Sequence, residues 1–397
     1  MFQESIPFLT LSGTLYVLVV SLFFNVWLLI RKPPTTEQPS TKKSNSALAL
    51  NLPKGWWSDP DRFQAERRAI FSQSWMCVSH RGRFRKVGDY IVYEVAGFRF
   101  FMILGKDMIV RSFHNVCRHR AFPVARKQSG SALVLGCRYH GWSYDTKGTL
   151  VKAPYFDNLP GFDKSQNSLF EIHTKEDGYG FLHINVSARE DVATTTPPEA
   201  TRSGELGQIK LDSHLIDTME FKGRFNWKVI LNNQPRKSST EVSTKDIMGT
   251  LLSQSPHSVG KMGFFPLTTV QTMSNGPFWY QLTYSPETSQ QTAMRCDVYS
   301  SIASKDNEFE DATKISLMNE LKQNIREFEK QHKQLTTSGY HSTGANDSHV
   351  NILRMVEGHL GQEKIRGCEI KPATVKQQFQ SEAFTKADQS EFSLVRL

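Results

Sequence analysis

His114-Asn-Val-Cys117-Arg-His119-Arg120 and Cys137-Arg-Tyr-His140-Gly-Trp142 are the two stretches that decide how this sequence is interpreted. Each contains one cysteine and one histidine, as Cys-x-His in the first and Cys-x-x-His in the second, and 17 residues separate His119 from Cys137. Thiolates and imidazoles both bind iron and zinc. The pattern predicts a metal site with Cys117, His119, Cys137 and His140 as its ligands, while His114 lies outside the pattern.

The equal numbers of cysteine and histidine ligands favour a Rieske [2Fe–2S] centre, in which two thiolates hold one iron and two imidazoles hold the other. Neutral imidazoles lower the negative charge of such a cluster and raise its reduction potential. Two alternatives fit less well. A Cys2His2 zinc site usually keeps its cysteines about two to four residues apart. A disulfide between Cys117 and Cys137 would leave both histidines without a role.

The composition is that of a globular protein with room for two domains and an additional segment, with 397 residues and a formal net charge of +9. Basic residues cluster around the ligand motifs: Arg81, Arg83, Arg85, Lys86, Arg111, Arg118, Arg120, Arg126, Lys127 and Arg138. They form either a solvated basic face or a docking surface for an acidic electron donor. No nucleic-acid partner is expected, because no recognised reading motif accompanies the charge. The scattered remaining cysteines predict a reducing compartment.

The N-terminal segment is predicted to be a membrane anchor. Residues 7–30 contain no charged side chain, and as a helix they would span about 36 Å, enough to cross a bilayer. Arg31 and Lys32 follow directly. We therefore expect a transmembrane helix in residues 1–32, a single-pass membrane location and a cytosolic bulk. A cleaved signal peptide is the alternative. Residues 33–50, rich in Pro, Thr and Ser, are expected to be a tether.

The remaining sequence predicts two domains. Alternating and apolar segments between turns predict an all-β domain over residues 51–188, in which Ser131–Leu135 is a buried strand beside the metal loops. Residues 189–204 are expected to be a linker. Residues 205–397 are expected to form an α+β domain with a long helix near residues 308–335. Its core-facing stripe consists of Ile315, Met318, Leu321, Ile325 and Phe328.

In this order of parts the sequence resembles the large subunit of Rieske non-haem iron oxygenases, in the choline monooxygenase-like and aromatic-ring-hydroxylating branch. The resemblance rests on the two ligand motifs, on Trp56-Trp-Ser-Asp-Pro60 and on Asn226-Trp-Lys228. It implies a helix-grip catalytic domain, a mononuclear Fe(II) and a homotrimer. It also implies that a flavin reductase or ferredoxin supplies electrons from NAD(P)H, and that oxygen is inserted into a small organic molecule. A lipophilic substrate would suit an anchored enzyme.

The resemblance further implies two closely spaced histidines after Asn226-Trp-Lys228, but no histidine occurs between His214 and His257. Asp347 matches the position of the family's carboxylate iron ligand, and a helix N-cap is the alternative role. An iron here would need an unusual ligand set, such as Asp347 with His349 or His257. Three interpretations follow: an oxygenase, an electron carrier or inactive relative without the mononuclear iron, or a sequence that lacks an exon.

Overall fold

A computed structural model of the protein describes residues 52–157, 159–231, 258–274, 276–302, 309–337 and 347–370. Its first half begins with helix α1 (Pro60–Glu66) and continues as one π-helical turn (Arg67–Phe71). The strands that follow are β1 (Met76–His80), β2 (Asp89–Val95), β3 (Phe98–Leu104), β4 (Val110–His114), β5 (Ser129–Ser131), β6 (Val134–Gly136), β7 (Ser143–Asp145), β8 (Leu150–Lys152), β9 (Glu171–Glu176) and β10 (Phe181–Asn185). Seven of these form one sheet in the order β1-β10-β9-β4-β3-β2-β5, and β6-β7-β8 form a smaller one.

The second half contains a six-stranded sheet and two long helices. Its strands are β11 (Thr201–Gly204), β12 (His214–Gly223), β13 (Ser258–Phe264), β14 (Thr268–Met273), β15 (Phe278–Thr288) and β16 (Gln291–Ser300), in the order β11-β13-β14-β15-β16-β12. A 3-10 turn, Trp227–Leu231, follows β12. Helices α2 (Asp311–Thr337) and α3 (Asp347–Arg366) come last. This sheet already begins at Thr201, within the predicted linker.

Hydrophobic residues from both halves pack into one core, whereas the metal loops have a core of their own. Phe71, Met102, Phe181, Trp227 and Trp279 belong to the shared core. The smaller core surrounds both candidate cysteines and includes Phe113, Trp142, Tyr144 and Phe156. The metal loops are therefore held by their own packing, separate from the shared core.

None of the helices in the ranges given above combines the length and the apolar character needed to cross a bilayer. Helices α2 and α3 are long enough, with 27 and 20 residues, but both carry acidic and basic residues along their length, which hydrocarbon disfavours. This finding contradicts the predicted N-terminal transmembrane helix and the predicted single-pass membrane location, and we do not propose them further. The segment that prompted them, residues 1–32, lies outside the described residues, as does the predicted tether.

His80 is a buried histidine that the fold keeps neutral. Its Nδ1 accepts a hydrogen bond from the Gly82 N–H at 3.0 Å, and its Nε2–H donates to the Tyr179 carbonyl at 2.8 Å. Burial lowers the pKa of His80 from 6.5 to about 4. Protonation of Nδ1 would remove the acceptor for Gly82. In acid the unfolded chain therefore binds this proton before the folded chain does.

We expect His80 to lower the free energy of unfolding by about 3 kcal/mol as the pH falls from 6.5 to 4, and to leave it unchanged near pH 7. Urea unfolding of the wild type and of His80→Gln at several pH values measures this, because the variant should lose less stability in acid. His173→Gln, at a half-exposed position, is the control and should follow the wild type. If the free energies of unfolding of wild type and His80→Gln fell by equal amounts in acid, the buried, neutral state of His80 would be contradicted.

Candidate metal centre

The two ligand motifs form loops with the same backbone hydrogen bonds. In loop 1 (residues 115–125) the Cys117 N–H donates to the Phe122 carbonyl at 2.8 Å, and the Ala121 N–H donates to the Cys117 carbonyl at 2.9 Å. In loop 2 (residues 137–142) the equivalent bonds join Cys137 to Trp142 and Gly141 to Cys137, also at 2.8 and 2.9 Å. This matched geometry presents one cysteine and one histidine from each loop.

In both loops the residue four positions after the cysteine adopts the left-handed backbone conformation. Gly141 has φ +75° and Ala121 has φ +56°. Glycine adopts this conformation without a steric cost, whereas an alanine costs about 1 kcal/mol or more. Loop 1 tolerates the alanine because Asn115 closes the loop. Its Oδ1 accepts from the Val124 and Ala125 N–H groups at 3.0 and 2.9 Å, and its Nδ2 donates to the Ala125 carbonyl at 2.8 Å.

The two cysteine sulfurs lie within hydrogen-bonding distance of each other, and both are buried thiols rather than a disulfide. The Cys117 thiol, together with the backbone N–H groups of Tyr139 and His140, lowers the pKa of Cys137 to about 6. The same hydrogen bond, with burial, raises the pKa of Cys117. Loop 2 therefore stabilises a sulfur anion at Cys137, the state in which cysteine binds metal.

The two candidate histidines lie beside each other, with ring centroids 4.6 Å apart. His119 is buried and stacks on Trp142 at 5.1 Å, and Phe156 contacts its ring edge at 5.3 Å. His140 is half-buried, and the Tyr139 ring lies 3.9 Å from it. The structure thus brings together all four side chains that the sequence singled out, with the cysteines inside and His140 nearest to solvent.

Tyr144 supports this site. Its hydroxyl oxygen accepts from the Arg118 N–H at 3.0 Å and lies 3.3 Å from the Cys117 sulfur. A metal-bound thiolate has no hydrogen to donate, so the Tyr144 hydroxyl would donate to the Cys117 sulfur of a bound cluster. The Arg118 side chain fixes loop 1 from the other side, since its Nη1 donates to the Ser168 carbonyl at 2.7 Å and its guanidinium lies 3.9 Å from the Phe170 ring centroid.

We expect Tyr144→Phe to lower the reduction potential of a cluster bound here by about 50 mV. A hydrogen bond to sulfur favours the more negative, reduced state, and losing one costs about 1 kcal/mol. For a one-electron couple, about 59 mV corresponds to a tenfold change in equilibrium. Spectroelectrochemical titration measures the shift. Tyr139→Phe, which removes the hydroxyl of an exposed ring in loop 2, should leave the potential unchanged. Equal potentials in wild type and Tyr144→Phe would contradict the role of the Tyr144 hydroxyl.

The donor set fits a [2Fe–2S] cluster. Two thiols and two imidazoles meet at the ends of two matched loops, and backbone N–H groups of both loops point at the sulfurs, as an anionic iron–sulfur cluster requires. Cys117 and Cys137 would hold one iron, and His119 and His140 the other. Such a cluster stores and releases single electrons, and that is the chemistry it would supply here.

The described part of the chain does not fit the mononuclear iron that the resemblance implies. In residues 52–157, 159–231, 258–274, 276–302, 309–337 and 347–370, no three His, Cys, Asp or Glu side chains are placed to hold a single ion. His332 has a carbonyl near each ring nitrogen, Trp57 O at 3.0 Å and Arg224 O at 3.3 Å. His349 packs between Trp56 and Trp57, with Nε2 3.3 Å from the Lys228 carbonyl.

The remaining candidates add nothing to such a site. Nε2 of His359 lies 3.3 Å from Glu363. Asp347 is the first residue of α3, and its role as an iron ligand stays a prediction. His257 lies outside the described residues. We therefore derive no step through a mononuclear iron.

Helix α2 and the second sheet line an open pocket of about 240 Å³. Met273 and Tyr280 line it from the sheet, and Leu317 and Glu320 line it from the helix. Ser274, Ala312, Thr313 and Ser316 complete the lining, so the pocket combines apolar and polar side chains with one aromatic ring and one carboxylate. The sequence carried no signal for these lining residues.

Comparison with known proteins agrees with the loop geometry. Residues 74–163, which contain all four candidate ligands, match the family of Rieske [2Fe-2S] domains. The chain carries a Rieske domain. In sequence it is 31% identical over 191 residues to the carnitine monooxygenase oxygenase subunit of Acinetobacter pittii. It is also 38% identical over 99 residues to the benzene 1,2-dioxygenase subunit alpha of Pseudomonas putida.

These similarities extend over only part of each relative. The first covers 48% of this chain and 51% of the carnitine monooxygenase subunit, so the chain spans about half the length of that relative. The second covers 25% of this chain and 22% of the dioxygenase subunit. A crystal structure of the quaternary ammonium Rieske monooxygenase CntA with γ-butyrobetaine has the same fold, with a TM-score of 0.59 and 23% identity. That match covers 78% of this chain and 94% of the other. Over these stretches the Rieske chain resembles the large subunits of Rieske oxygenases.

Proposed function

We propose that this Rieske chain is the large subunit of an oxygenase that inserts oxygen into a small organic molecule, with electrons relayed through the [2Fe–2S] cluster. The observation that carries the proposal is the meeting of Cys117, Cys137, His119 and His140 at the ends of two matched loops. A cluster held by these four side chains transfers electrons but does not itself bind the organic molecule, so the reaction needs the second half of the chain.

The substrate belongs to the second half, where the pocket beneath α2 offers an aromatic ring and a carboxylate. Relatives carry the names carnitine monooxygenase and benzene dioxygenase, and the related CntA binds γ-butyrobetaine. A carboxylate and a tyrosine that line the same pocket suit an organic cation, which favours quaternary ammonium compounds for the first tests. The expectation of a lipophilic substrate rested on the predicted membrane anchor. Because that anchor is contradicted, nothing now supports the expectation.

The test is turnover under ¹⁸O₂ by the full chain, reconstituted anaerobically with iron and sulfide and supplied with a chemical reductant. L-carnitine, γ-butyrobetaine and benzene are the first substrates. An oxygenase forms a product that contains the label, and Cys137→Ser should abolish its formation because the cluster is lost. Cluster-loaded protein that forms no labelled product from any candidate, while the reductant is consumed, would contradict the proposal.

A second function is supported by the histidines of the second half. Because His332, His349 and His359 all face other groups of the protein, the chain also fits an electron carrier or an oxygenase relative without the mononuclear iron. Iron and sulfide analysis separates the two functions. An oxygenase should bind three irons for every two sulfides, whereas a carrier should bind two irons for every two sulfides.

The source of electrons and the assembly are proposals of the same kind. A flavin reductase or a ferredoxin would pass electrons from NAD(P)H to the cluster, and a homotrimer would bring one chain's cluster to its neighbour. Inter-subunit electron transfer has been described for a structurally similar protein, a quaternary ammonium Rieske monooxygenase that oxidises carnitine. Sedimentation of the reconstituted chain tests the trimer.

A further inference from the structure

A second open pocket, of about 370 Å³, lies where the two halves of the chain meet. Tyr93 and Glu94 of β2 line it from the first half, and Arg295 of β16 lines it from the second. On β15, Thr283 lines this pocket whereas Tyr280 lines the pocket beneath α2. Because successive side chains of a strand point to opposite faces, the two pockets lie on opposite faces of the second sheet. We call the new one the junction pocket.

Hydrogen bonds between the two halves hold the walls of the junction pocket. Ser285 Oγ donates to the Glu94 carbonyl at 2.8 Å and accepts from the Ala96 N–H at 3.3 Å, which joins β15 to β2 and the turn that follows it. On the side of the first half, Gln128 Nε2 donates to the Val92 carbonyl at 2.8 Å. The pocket is therefore a built feature of the fold, with both walls fixed.

A small residue forms the floor of the junction pocket. Ala293 lies on β16, opposite Lys222 of β12 on one side and Ser285 of β15 on the other. The Lys222 ammonium pairs with Glu287 of β15 at 2.6 Å, so its side chain reaches across the strand that carries Ala293. A larger side chain at this position would occupy the space that the methyl group leaves open.

An arginine and a carboxylate lie side by side above this floor. Arg295 is the less exposed of the two, with 13% of its side chain accessible against 61% for Glu220. Its Nε and Nη2 both donate to one oxygen of Glu220, Oε1, at 3.1 and 2.5 Å. The other oxygen, Oε2, remains for a ligand. The pocket thus offers a guanidinium for an anionic group and a carboxylate for a cationic group within one small volume.

The charges of the lining select the class of ligand. Three carboxylates line the junction pocket, those of Glu94, Glu220 and Glu287, against two cations, Lys222 and Arg295. A ligand with one carboxylate and two ammonium groups carries the complementary charges, in the complementary number. A diamine would leave the guanidinium without an anionic group, and a simple amino acid would supply one ammonium group too few.

The cationic groups of the ligand need N–H donors. Carboxylates accept hydrogen bonds from a primary ammonium group, whereas a quaternary one has none to give and relies on open aromatic faces. The Tyr93 ring already stacks on Phe100, with centroids 5.4 Å apart, and the Arg295 guanidinium lies 5.0 Å from its centroid. Tyr93 therefore offers little open face to a quaternary ammonium group.

We propose that the junction pocket binds a basic amino acid, with the ligand's carboxylate on Arg295 and its ammonium groups on Glu220 and Glu94. This site is additional to the substrate site of the proposed function and does not depend on it. Because β2 belongs to the first half and β12, β15 and β16 to the second, such a ligand would contact both halves at once.

Isothermal titration calorimetry of the cluster-loaded full chain with L-lysine tests the proposal. One lysine should bind per chain, and the affinity should fall as salt is added. Cadaverine lacks the carboxylate and glycine betaine lacks N–H donors, so each should bind about tenfold more weakly or worse, as expected when a charge-assisted hydrogen bond is lost. Absence of saturable lysine binding, or glycine betaine binding as tightly as lysine, would overturn the proposal.

Two variants locate the lysine, and a third is the matched control. Ala293→Leu fills the floor, and Glu220→Gln removes a carboxylate at an exposed position; each should weaken lysine binding about tenfold or more. Glu320→Gln makes the same chemical change in the pocket beneath α2 and should keep the wild-type affinity. If Glu320→Gln weakened binding and the two junction variants did not, lysine would bind beneath α2 and the proposal would be wrong. The titration involves no turnover, so its failure is distinct from a failure of oxygenase activity.

Discussion

Replacing His140 with cysteine should lower the reduction potential of the cluster by about 250 mV or more. As a cluster ligand His140 would contribute a neutral imidazole, and its ring centroid lies 4.6 Å from that of His119. A thiolate in its place adds a negative charge at the iron and makes the reduced cluster less favourable. Rieske centres have potentials of about −150 to +300 mV, whereas clusters with four cysteines in plant-type ferredoxins have about −400 mV. Spectroelectrochemical titration of the reconstituted protein measures the difference.

His114→Cys is the matched control. It introduces the same side chain at the end of β4, three residues before Cys117, where the sequence pattern assigns no ligand. This variant should keep the wild-type potential. Cys137→Ser should lose most of the cluster iron if the two loops form one site. If His140→Cys bound a full cluster at an unchanged potential, His140 would not be an iron ligand.

The sequence could single out the four candidate ligands because their spacing reflects a local requirement of the chemistry. Each loop is short, and each places its cysteine and histidine by bonds within a few residues, so the motifs alone identify the side chains that the structure brings together. The supporting residues were missed for the opposite reason. Tyr144 lies 27 residues from Cys117, and Asn115 acts through backbone groups about ten residues away. Neither has a motif, because each position follows from how the loops pack.

The predicted strand Ser131–Leu135 was wrong. The segment divides into β5, which pairs with β2 of the large sheet, and β6, which pairs with β7 of the small one. Leu133 and Val134 are each 49% exposed, so an apolar run here does not indicate burial. A pattern in a single sequence shows how apolar a segment is. It does not show that the chain leaves one sheet and enters another within that segment.

The long helix shows how far periodicity can be used. Its extent was nearly correct, and Leu321, Ile325 and Phe328 are buried as predicted, but Ile315 is 52% exposed. The buried stripe passes through Leu317 and His332 instead. Hydrophobic periodicity cannot predict that a polar residue lies on a buried face. His332 can lie there because a carbonyl faces each ring nitrogen, that of Trp57 at 3.0 Å and that of Arg224 at 3.3 Å, so the ring N–H has an acceptor.

Glu66 and Lys228 form a buried ion pair that no sequence pattern predicted. Lys228 Nζ lies 2.5 Å from Glu66 Oε1, and the Trp227 indole N–H donates to Glu66 Oε2 at 2.8 Å. The side chains are 1% and 0% exposed. The Lys228 ammonium also lies 4.8 Å from the Trp56 ring centroid, and burial lowers the pKa of Lys228. The pair joins α1 to the Trp227–Leu231 turn, across 162 residues of sequence.

Lys228→Met should therefore destabilise the protein by about 3 to 5 kcal/mol, because it leaves the Glu66 carboxylate buried without a cation. Urea unfolding of the cluster-loaded chain measures the change in the free energy of unfolding. The double variant Glu66→Gln with Lys228→Met removes both charges and should recover most of the loss. Lys222→Met is the surface control: Lys222 pairs with Glu287 at 2.6 Å but is 64% exposed, so its loss should cost far less stability than the loss of Lys228. Equal costs for the buried and exposed lysines would show that the Glu66 carboxylate reaches solvent or a proton when its partner is removed. In that case the pair would not hold the two halves of the chain together.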